Sequence, residues 1–404
     1  MKAQEQCLNK KGREIMSEII KNDQEYILNT YKRFNVALKS GHGSTFVGFD
    51  GKEYIDFSSG IGTNSFGACD NEWVNAVCEQ AKTLQHTSNL YYNEPQTKVA
   101  KLLCEKTGMK KVFFGNSGAE ANECAIKAAR KYSFDKYGNN RNVIITLKNS
   151  FHGRTIATLS ATGQDVFHNY FFPFVDGFKY ATANDINELE ALIDENVCAI
   201  MIETVQGEGG VNPLNPEYIK YIDTVCKEKD IVFIVDEVQT GNGRCGYLYS
   251  YMEYGVNPNI VSTAKGLAGG LPFAAILFDE KLEKTLGYGE HGTTFGGNPV
   301  CAAAAYSVLS RLDDELFNHV FECRKIIEEE LLTCKNVKSI SGKGLMVGIE
   351  ISENLKAIDV VSKCIENGLI PLTAKNKVRL LPPLNISFTE LRKGLNILKK
   401  ALED

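Results

Sequence analysis

The sequence predicts an α/β protein whose large domain is a doubly wound, mostly parallel sheet and whose smaller domain is α+β. Short apolar segments alternate with stretches of helical periodicity, which is the pattern of a parallel sheet covered by helices. The most apolar segment, residues 231–235, has the unbroken pattern of a strand buried on both faces of a sheet. A chain of 404 residues, 43% of them hydrophobic, can also form a core large enough for two unequal domains.

Taken in chain order, the elements fit this class. Residues 1–40 have the pattern of a helical arm, and residues 44–57 that of a hairpin with its turn at Asp50-Gly51. A helix is expected near residues 72–84. The candidate buried strands are residues 111–115, 143–147, 198–202, 232–235 and 274–278. A Gly-Gly-Asn-Pro sequence at residues 296–299 opens a long alanine-rich helix, which we interpret as the bridge to the small domain.

The last helix follows a capping box at residues 387–390. We therefore expect three parts. Residues 1–60 form an N-terminal arm and hairpin that pack with the small domain, residues 61–297 form the large ligand-binding domain, and residues 298–404 form the C-terminal small domain.

Composition excludes several classes of protein. A net charge of −5 argues against a nucleic-acid-binding protein, which usually has a basic face. The twelve cysteines are scattered and no CxxC occurs, so the sequence predicts neither zinc nor another metal site, and single cysteines are typical of a reducing cytoplasm. No apolar run reaches the roughly 18 residues that a membrane helix needs, and the N-terminus lacks the apolar centre of a signal peptide. We expect a cytoplasmic protein that binds neither nucleic acid nor membrane.

Two charged residues follow neighbouring apolar segments. Asp236 comes directly after residues 231–235, and Lys265 follows the short apolar pair Ile260-Val261. Their separation corresponds to one crossover unit of a parallel sheet. Because ligands bind at the carboxyl ends of such strands, this pair is the expected centre of a site.

A third feature is the turn Ser117-Gly118-Ala119, which lies between a predicted strand and a predicted helix. Free backbone N–H groups at a helix start attract anions, so the turn is a candidate phosphate cradle. An ordinary serine cap explains the same residues equally well.

Residues 241–246 match the pattern GxGxxG, which suggests a dinucleotide-binding loop. The acidic residue expected about 20 positions further on is missing, because residues 254–261 contain no carboxylate. The bulky segment after Gly246 is also too short for a crossover helix. We interpret residues 241–246 as a glycine loop without a nucleotide.

The other candidates are weak when taken one at a time, since each has an ordinary structural explanation. They are His152, Arg154, Glu203, Glu208 and Arg379. Together with the lysine, the aspartate and the anion cradle, they fit pyridoxal phosphate, which requires a lysine, a phosphate site and a carboxylate beside its ring nitrogen. The positive charge of a protonated cofactor ring beside Lys265 should lower the pKa of its amine.

Longer motifs then resemble a known family. They are FGNSGAEANE (114–123), SFHGRT (150–155), QGEGGV (206–211), DEVQTGNGR (236–244), STAKGLAGGLP (262–272) and HGTTFGGNP (291–299). The sequence is similar over nearly its whole length to the class-III (subgroup II) pyridoxal-phosphate-dependent aminotransferases, nearest to the acetylornithine aminotransferase branch.

The resemblance implies the fold of type I pyridoxal-phosphate enzymes and a role for each matching residue. Lys265 would be linked covalently to the cofactor and move the proton, and Asp236 would pair with the ring nitrogen. The other cofactor-binding residues would be Ser117, Gly118, Ala119, Phe151, Glu203, Val238, Gln239 and Thr294. Thr294 would come from a neighbouring subunit, so the resemblance implies a homodimer with a shared active site.

The substrate-binding residues implied in the same way are Arg154, Glu208, Thr293 and Arg379. Arg154 would bind an α-carboxylate and Thr293 the acylated donor, while Glu208 would mask Arg379 until 2-oxoglutarate arrives. Ile61 stands where ornithine δ-aminotransferases have tyrosine, which favours an acylated donor. Ala119 and Cys245 stand where threonine is common.

We therefore expect a ping-pong N-acetylornithine:2-oxoglutarate aminotransferase of arginine biosynthesis. The alternatives within the family are donors such as succinylornithine, succinyldiaminopimelate, ornithine or 4-aminobutyrate. A glutamate-semialdehyde aminomutase of the same fold, and a nicotinamide-dependent dehydrogenase that would use residues 241–246, are further alternatives.

Overall fold

The N-terminal part combines a helix with a small sheet in the computed structural model, which describes residues 2–403. The helix α1 spans Lys2–Tyr26, so the expected arm of residues 1–40 is helical only in its first part. The strands that follow are β1 (Leu38–His42), β2 (Thr45–Gly48) and β3 (Glu53–Asp56). They pair antiparallel, and the expected turn at Asp50-Gly51 joins β2 to β3.

A seven-stranded sheet forms the centre of the protein. Its strands are β4 (Lys111–Gly115), β5 (Val143–Leu147), β6 (Phe178–Ala181), β7 (Val197–Ile202), β10 (Val232–Asp236), β11 (Ile260–Thr263) and β12 (Ala274–Phe278). Their order is β4-β12-β11-β10-β7-β5-β6. All neighbours run parallel except β12, which is antiparallel to both β11 and β4. The prediction of a mostly parallel sheet is confirmed.

Two short strands and eight helices accompany the central sheet. The strands are β8 (Val205–Gln206) and β9 (Asn212–Pro213). The helices are α2 (Ser59–Gly62), α3 (Asn71–Thr83), α4 (Glu94–Thr107), α5 (Gly118–Tyr137), α6 (Ile156–Ala161), α7 (Ile186–Leu192), α8 (Pro216–Glu228) and α9 (Pro299–Leu309). The alanine-rich α9 has only 11 residues, fewer than the long helix expected, and its small buried side chains allow it to pack closely against α3 and α4.

The C-terminal part contains a second, four-stranded sheet and three helices. These elements are α10 (Asp314–Leu331), β13 (Val337–Lys343), β14 (Met346–Ile351), α11 (Ala357–Glu366), β15 (Leu369–Ile370), β16 (Leu372–Ala374), β17 (Lys377–Leu380) and α12 (Phe388–Glu403). The sheet has the order β13-β14-β17-β16, while β15 pairs in parallel with β3. The N-terminal hairpin and β15 of the C-terminal part therefore belong to one sheet. The expected domain boundaries at residues 60 and 297 stay a prediction.

The strand β10 is buried along its whole length, as its apolar sequence requires. Its last residue, Asp236, is opposite Ser262 of β11, three residues before Lys265. The central sheet thus places the aspartate and the lysine at adjoining strand ends. Within residues 2–403, we find no helix whose length and apolar character would let it cross a bilayer.

Candidate active site

Asp236 is held rigidly at the end of β10, where it is only 3% exposed. Its Oδ2 accepts hydrogen bonds from Asn122 Nδ2 at 2.7 Å and from His152 Nδ1 at 2.8 Å. Its Oδ1 accepts one from Val238 N at 3.0 Å. Asn122 is fixed in turn, because Ser262 Oγ donates to its Oδ1 at 2.6 Å. Buried donors on several elements therefore keep this carboxylate in one orientation.

His152 and Glu203 extend the charged cluster around Asp236. Burial alone would lower the pKa of His152, but its hydrogen bond to Asp236 and the nearby carboxylates outweigh burial and raise that pKa. Burial raises the pKa of Glu203 to about 7, and the charge of Asp236 adds to this effect. Glu203 Oε2 accepts from Phe151 N at 3.0 Å, so this carboxyl group fixes the loop that carries His152. A protonated His152 compensates the buried negative charge.

Lys265 begins a 3₁₀ turn, Lys265–Ala268, directly after β11. Its φ is 44°, in the left-handed region that non-glycine residues seldom adopt. Burial lowers the pKa of its amine to about 8, against a smaller raising effect from the charge of Glu208. A sizeable fraction of Lys265 is therefore uncharged near neutral pH and able to act as a nucleophile or base.

The turn Ser117-Gly118-Ala119 forms the start of the 20-residue helix α5. Ser117 Oγ accepts from Glu120 N at 3.2 Å, which is the cap that the simpler interpretation expected. Gly118 lies against the segment after β10, because a Cβ atom there would come within 2.6 Å of Val238 Cγ1. The helix start and the Asp236 segment therefore meet, and the backbone N–H groups at the start of α5 can serve an anion there.

Glu208 and Arg379 form an ion pair beside this centre. Glu208 Oε1 is 2.6 Å from Arg379 NH1 and also accepts from Gln239 Nε2 at 3.2 Å. The same arginine nitrogen donates to Gln239 Oε1 at 3.2 Å, so Gln239 links both partners. Burial would raise the pKa of Glu208, but the charges of Arg379 and Lys265 outweigh it and lower that pKa. Glu208 is therefore kept in its ionised form opposite the guanidinium.

The remaining sequence candidates lie at the periphery of the site. Arg154 is exposed, with its guanidinium 4.3 Å from the ring centroid of Phe167 and 5.5 Å from that of Phe151. Thr293 Oγ1 accepts from Asn116 Nδ2 at 3.2 Å, close to the start of α5 in the same chain. Thr294 is exposed, so the hydroxyl is accessible to a second copy of the chain.

Sequence reasoning missed the direct partners of Asp236. His152 was a candidate without an assigned role, and Asn122 was not considered a site residue. A signal for Asn122 existed, since it follows Gly118 by one helical turn and so shares its face of α5. The hydrogen bonds of Gln239 to the Glu208–Arg379 pair were also not anticipated.

The residues present fit pyridoxal phosphate. A buried, fixed carboxylate can pair with a protonated ring nitrogen, and an amine of lowered pKa stands at the adjoining strand end. The start of α5 supplies N–H groups for a phosphate, and Phe151 is an aromatic side chain only partly buried. The glycine loop 241–246, by contrast, leads to a short 3₁₀ turn, Ser250–Tyr254, and not to the helix of a dinucleotide site.

Comparison with known proteins agrees with this geometry. The family model of the class-III aminotransferases matches residues 26–402. The acetylornithine aminotransferase of Haemophilus ducreyi is 50% identical over 383 residues, which is 95% of this chain and 98% of that protein. The acetylornithine aminotransferase of Methanocaldococcus jannaschii is 43% identical, over 95% of this chain and 97% of that protein.

Solved structures show the same fold. The ornithine aminotransferase of Toxoplasma gondii superposes with a TM-score of 0.91 at 32% identity, covering 96% of this chain and 95% of its own. The N-acetylornithine aminotransferase of Stenotrophomonas maltophilia gives a TM-score of 0.82 at 32% identity, covering 95% and 98%.

Proposed function

The chain belongs to the class-III aminotransferase family, and from this premise we propose that it transfers the δ-amino group of N-acetylornithine to 2-oxoglutarate, with pyridoxal phosphate as cofactor. The observation that carries the proposal is identity of 40–50% over nearly the whole chain to relatives named acetylornithine aminotransferase. The amino donor, the keto acid acceptor and the place in arginine biosynthesis follow from that activity. The cytoplasmic location stays a prediction.

The cofactor would be held by residues from three segments that meet at the sheet edge. Asp236 would face its ring nitrogen, and Lys265 would hold it covalently. Its phosphate would be bound by Ser117, Gly118 and Ala119, its ring would be bordered by Phe151 and Val238, and Glu203 and Gln239 would lie beside it. When bound, pyridoxal phosphate supplies an electron sink for the substrate carbon that loses a proton.

The protein's own part in the reaction is to bind and orient the reacting groups and to move protons. Lys265 Nζ, largely uncharged above pH 8, would take the proton from the amine-bearing carbon of the substrate and deliver it to the cofactor. His152, with its raised pKa, would donate to Oδ2 and keep the Asp236 carboxylate in its orientation. Burial of Asp236 excludes water, which strengthens its interaction with a cationic ring.

Glu208 and Arg379 would let one site accept two different substrates in turn. While the donor is bound, Glu208 neutralises Arg379, which would otherwise be a buried and uncompensated charge. When 2-oxoglutarate arrives, its second carboxylate would replace Glu208 on the guanidinium. Arg154 would bind the α-carboxylate in both half-reactions, and Thr293 would contact the acyl group.

The donor end of the site would include Ile61. It lies in α2, a single left-handed turn in which Ser59, Gly60, Ile61 and Gly62 all have positive φ. The side chain is 44% exposed and has no group that could bind a free α-amine. An apolar residue here supports an acylated donor over ornithine.

We also propose a homodimer in which Thr294 of each subunit completes the other's phosphate site. Thr294 is exposed, and so are large apolar side chains close to it in the sequence or just after Asn89, whose amide donates to Thr293 O at 3.3 Å. These are Leu90, Tyr91, Tyr92, Tyr288 and Phe295. Exposed aromatic side chains in one region are typical of a protein interface.

The test is a comparison of kcat/KM for N-acetylornithine, succinylornithine, ornithine and 4-aminobutyrate, with 2-oxoglutarate as acceptor. We expect N-acetylornithine to be preferred over ornithine by at least about tenfold, and Ile61→Tyr to reduce this preference, whereas Ile61→Val leaves it unchanged. A clear preference for another donor in the unaltered protein would contradict the proposed substrate.

A further inference from the structure

Lys265 stands in a backbone conformation that must be imposed on it. Its φ is 44°, and the preceding residue, Ala264, has φ −162° and ψ −139°. A lysine gains nothing locally from the left-handed region, so neighbouring groups have to stabilise this conformation.

Two buried side chains bind the carbonyl groups on either side of Lys265. Asn242 Nδ2 donates to Ala264 O at 3.1 Å, and Ser65 Oγ donates to Gly266 O at 2.9 Å. Asn242 is 2% exposed and Ser65 is 1% exposed. The peptide group that precedes Lys265 and the one between Gly266 and Leu267 are therefore each fixed by a side chain from another segment of the chain.

Asn242 belongs to the glycine loop 241–246, for which the aminotransferase reaction has given no role. It is itself left-handed, with φ 56°, a conformation that asparagine tolerates better than most residues. Its amide also donates to Thr263 Oγ1 at 3.0 Å. Because Ala264 O can only accept, the NH₂ group must face it, and Asn242 Oδ1 is left buried without a hydrogen-bond partner in residues 2–403. The Asn242 amide keeps this orientation although a buried oxygen without a hydrogen bond costs free energy.

The space around the lysine allows little movement. A Cβ atom on Gly266 would lie 2.7 Å from Ser65 Oγ and 3.3 Å from Asn242 Cβ. Ser65 O also accepts from Leu384 N at 2.8 Å, which connects the lysine turn with the segment that follows β17. Asn242 N donates to Leu248 O at 2.6 Å, so both donors are anchored independently of Lys265.

We propose that Asn242 and Ser65 form a clamp that holds the Lys265 backbone in its left-handed conformation and so aims Nζ at the cofactor. They are positioning residues, since neither needs to touch cofactor or substrate. This inference rests on the proposed function, because it takes Lys265 to be the cofactor lysine.

The test uses protein stripped of cofactor and two variants that each delete one arm of the clamp. Asn242→Gly keeps the left-handed conformation but removes the amide, and Ser65→Ala removes the hydroxyl. The first readout is the rate of pyridoxal phosphate uptake, followed by absorbance. The second is hydrogen exchange of the backbone amides at residues 264–268. We expect uptake to slow about tenfold in each variant and about 100-fold in the double variant, with faster exchange confined to that segment.

Two controls delete matched groups far from the lysine. Ser133→Ala removes a buried hydroxyl that donates to Arg141 O, and Asn184→Gly replaces another left-handed asparagine, with φ 67°. The clamp is overturned if both clamp variants take up cofactor as fast as the unaltered protein, or if the controls are slowed equally. If the unaltered protein takes up no pyridoxal phosphate, the proposed function fails, and that result is distinct from failure of the clamp.

Discussion

Two carboxylates in the same site are held in opposite ways. The Asp236 side chain is 4% exposed and accepts hydrogen bonds from Asn122, His152 and Val238. The Glu208 side chain is 31% exposed and has one strong partner, Arg379. Asp236 lies at the end of a buried strand, whereas Glu208 lies between the short strands β8 and β9. The difference teaches that burial and the number of donors, and not charge, separate a fixed group from a movable one.

This contrast follows from the cost of leaving buried groups unpaired. Moving Asp236 would leave several buried donors without a hydrogen-bond acceptor, each at a cost of about 1–3 kcal/mol. Moving Glu208 affects mainly Arg379, and an incoming substrate carboxylate can take its place on the guanidinium. The fixed carboxylate therefore suits a cofactor that stays, and the movable one suits substrates that alternate.

The largest effect is expected from Asp236→Asn. The amide keeps the shape but cannot stabilise a cationic ring, so kcat should fall about 10³-fold, while cofactor uptake is retained in part. The matched control is Glu237→Gln, the same change on the neighbouring residue, whose kcat at pH 8 should stay within about twofold. Similar losses in the two variants, measured by steady-state assay, would show that Asp236 has no special role.

A smaller and selective effect is expected from Glu208→Gln. The unmasked Arg379 should disfavour the donor, so the donor half-reaction should slow about 10- to 100-fold, which corresponds to about 1.4–2.7 kcal/mol. The half-reaction with 2-oxoglutarate should change by less than about threefold. Single-turnover absorbance measurements separate the two halves. Equal slowing of both would mean that Glu208 is as fixed as Asp236.

The two regions also interact through Lys265. Only the neutral amine can react, so the rate of cofactor uptake should rise with pH, with a midpoint near the Lys265 pKa of about 8. The charge of Glu208 raises this pKa, so Glu208→Gln should move the midpoint to lower pH. The same titration with N-acetyl-lysine corrects for ionisation of the aldehyde itself. A midpoint unchanged by Glu208→Gln would show that the charge of Glu208 does not affect the pKa of Lys265.

The smallest effect concerns stability and Glu237, a fixed carboxyl group that the reaction does not use. Thr240 Oγ1 donates to its Oε2 and Tyr251 N to its Oε1, and burial raises its pKa from 4.5 to about 7. The folded protein therefore binds a proton that the unfolded chain releases, so this contribution to stability is present below pH 4.5 and lost as pH rises to 7.

Glu237→Gln should remove that dependence. Relative to the unaltered protein, the variant should gain about 1–3 kcal/mol of unfolding free energy between pH 4.5 and pH 7. Thermal unfolding of both proteins across this range checks it. A constant difference at all pH values would mean that folding does not shift the pKa of Glu237.

Much of the fold could be predicted from local patterns. The apolar run before Asp236 predicted β10, and the capping box at residue 387 predicted α12, whose Ser387 Oγ accepts from Glu390 N at 3.1 Å. The reversed direction of β12 could not be predicted, because its apolar sequence is compatible with either direction. The left-handed turn at residues 59–62 could not be predicted either, since Ser59 and Ile61 do not favour positive φ.

Site residues that directly follow a strand could be predicted from the sequence. Those that are brought into the site by contacts between distant parts of the chain could not. Asp236 and Lys265 could be paired from spacing and strand order alone. The hydrogen bond from His152 joins residues 84 positions apart, and that from Asn122 joins residues 114 positions apart. Neither contact leaves a periodic pattern in the sequence. The clamp residues Ser65 and Asn242 escaped prediction for the same reason.

The central claim is that Lys265, beside Asp236, holds pyridoxal phosphate. The most direct measurement is peptide mass spectrometry after borohydride reduction of the protein loaded with this cofactor. We expect a phosphopyridoxyl group on Lys265, within the peptide STAKGLAGGLP, and on no other lysine at comparable yield. A protein that stays unlabelled, or carries the group on a different lysine, would contradict the account.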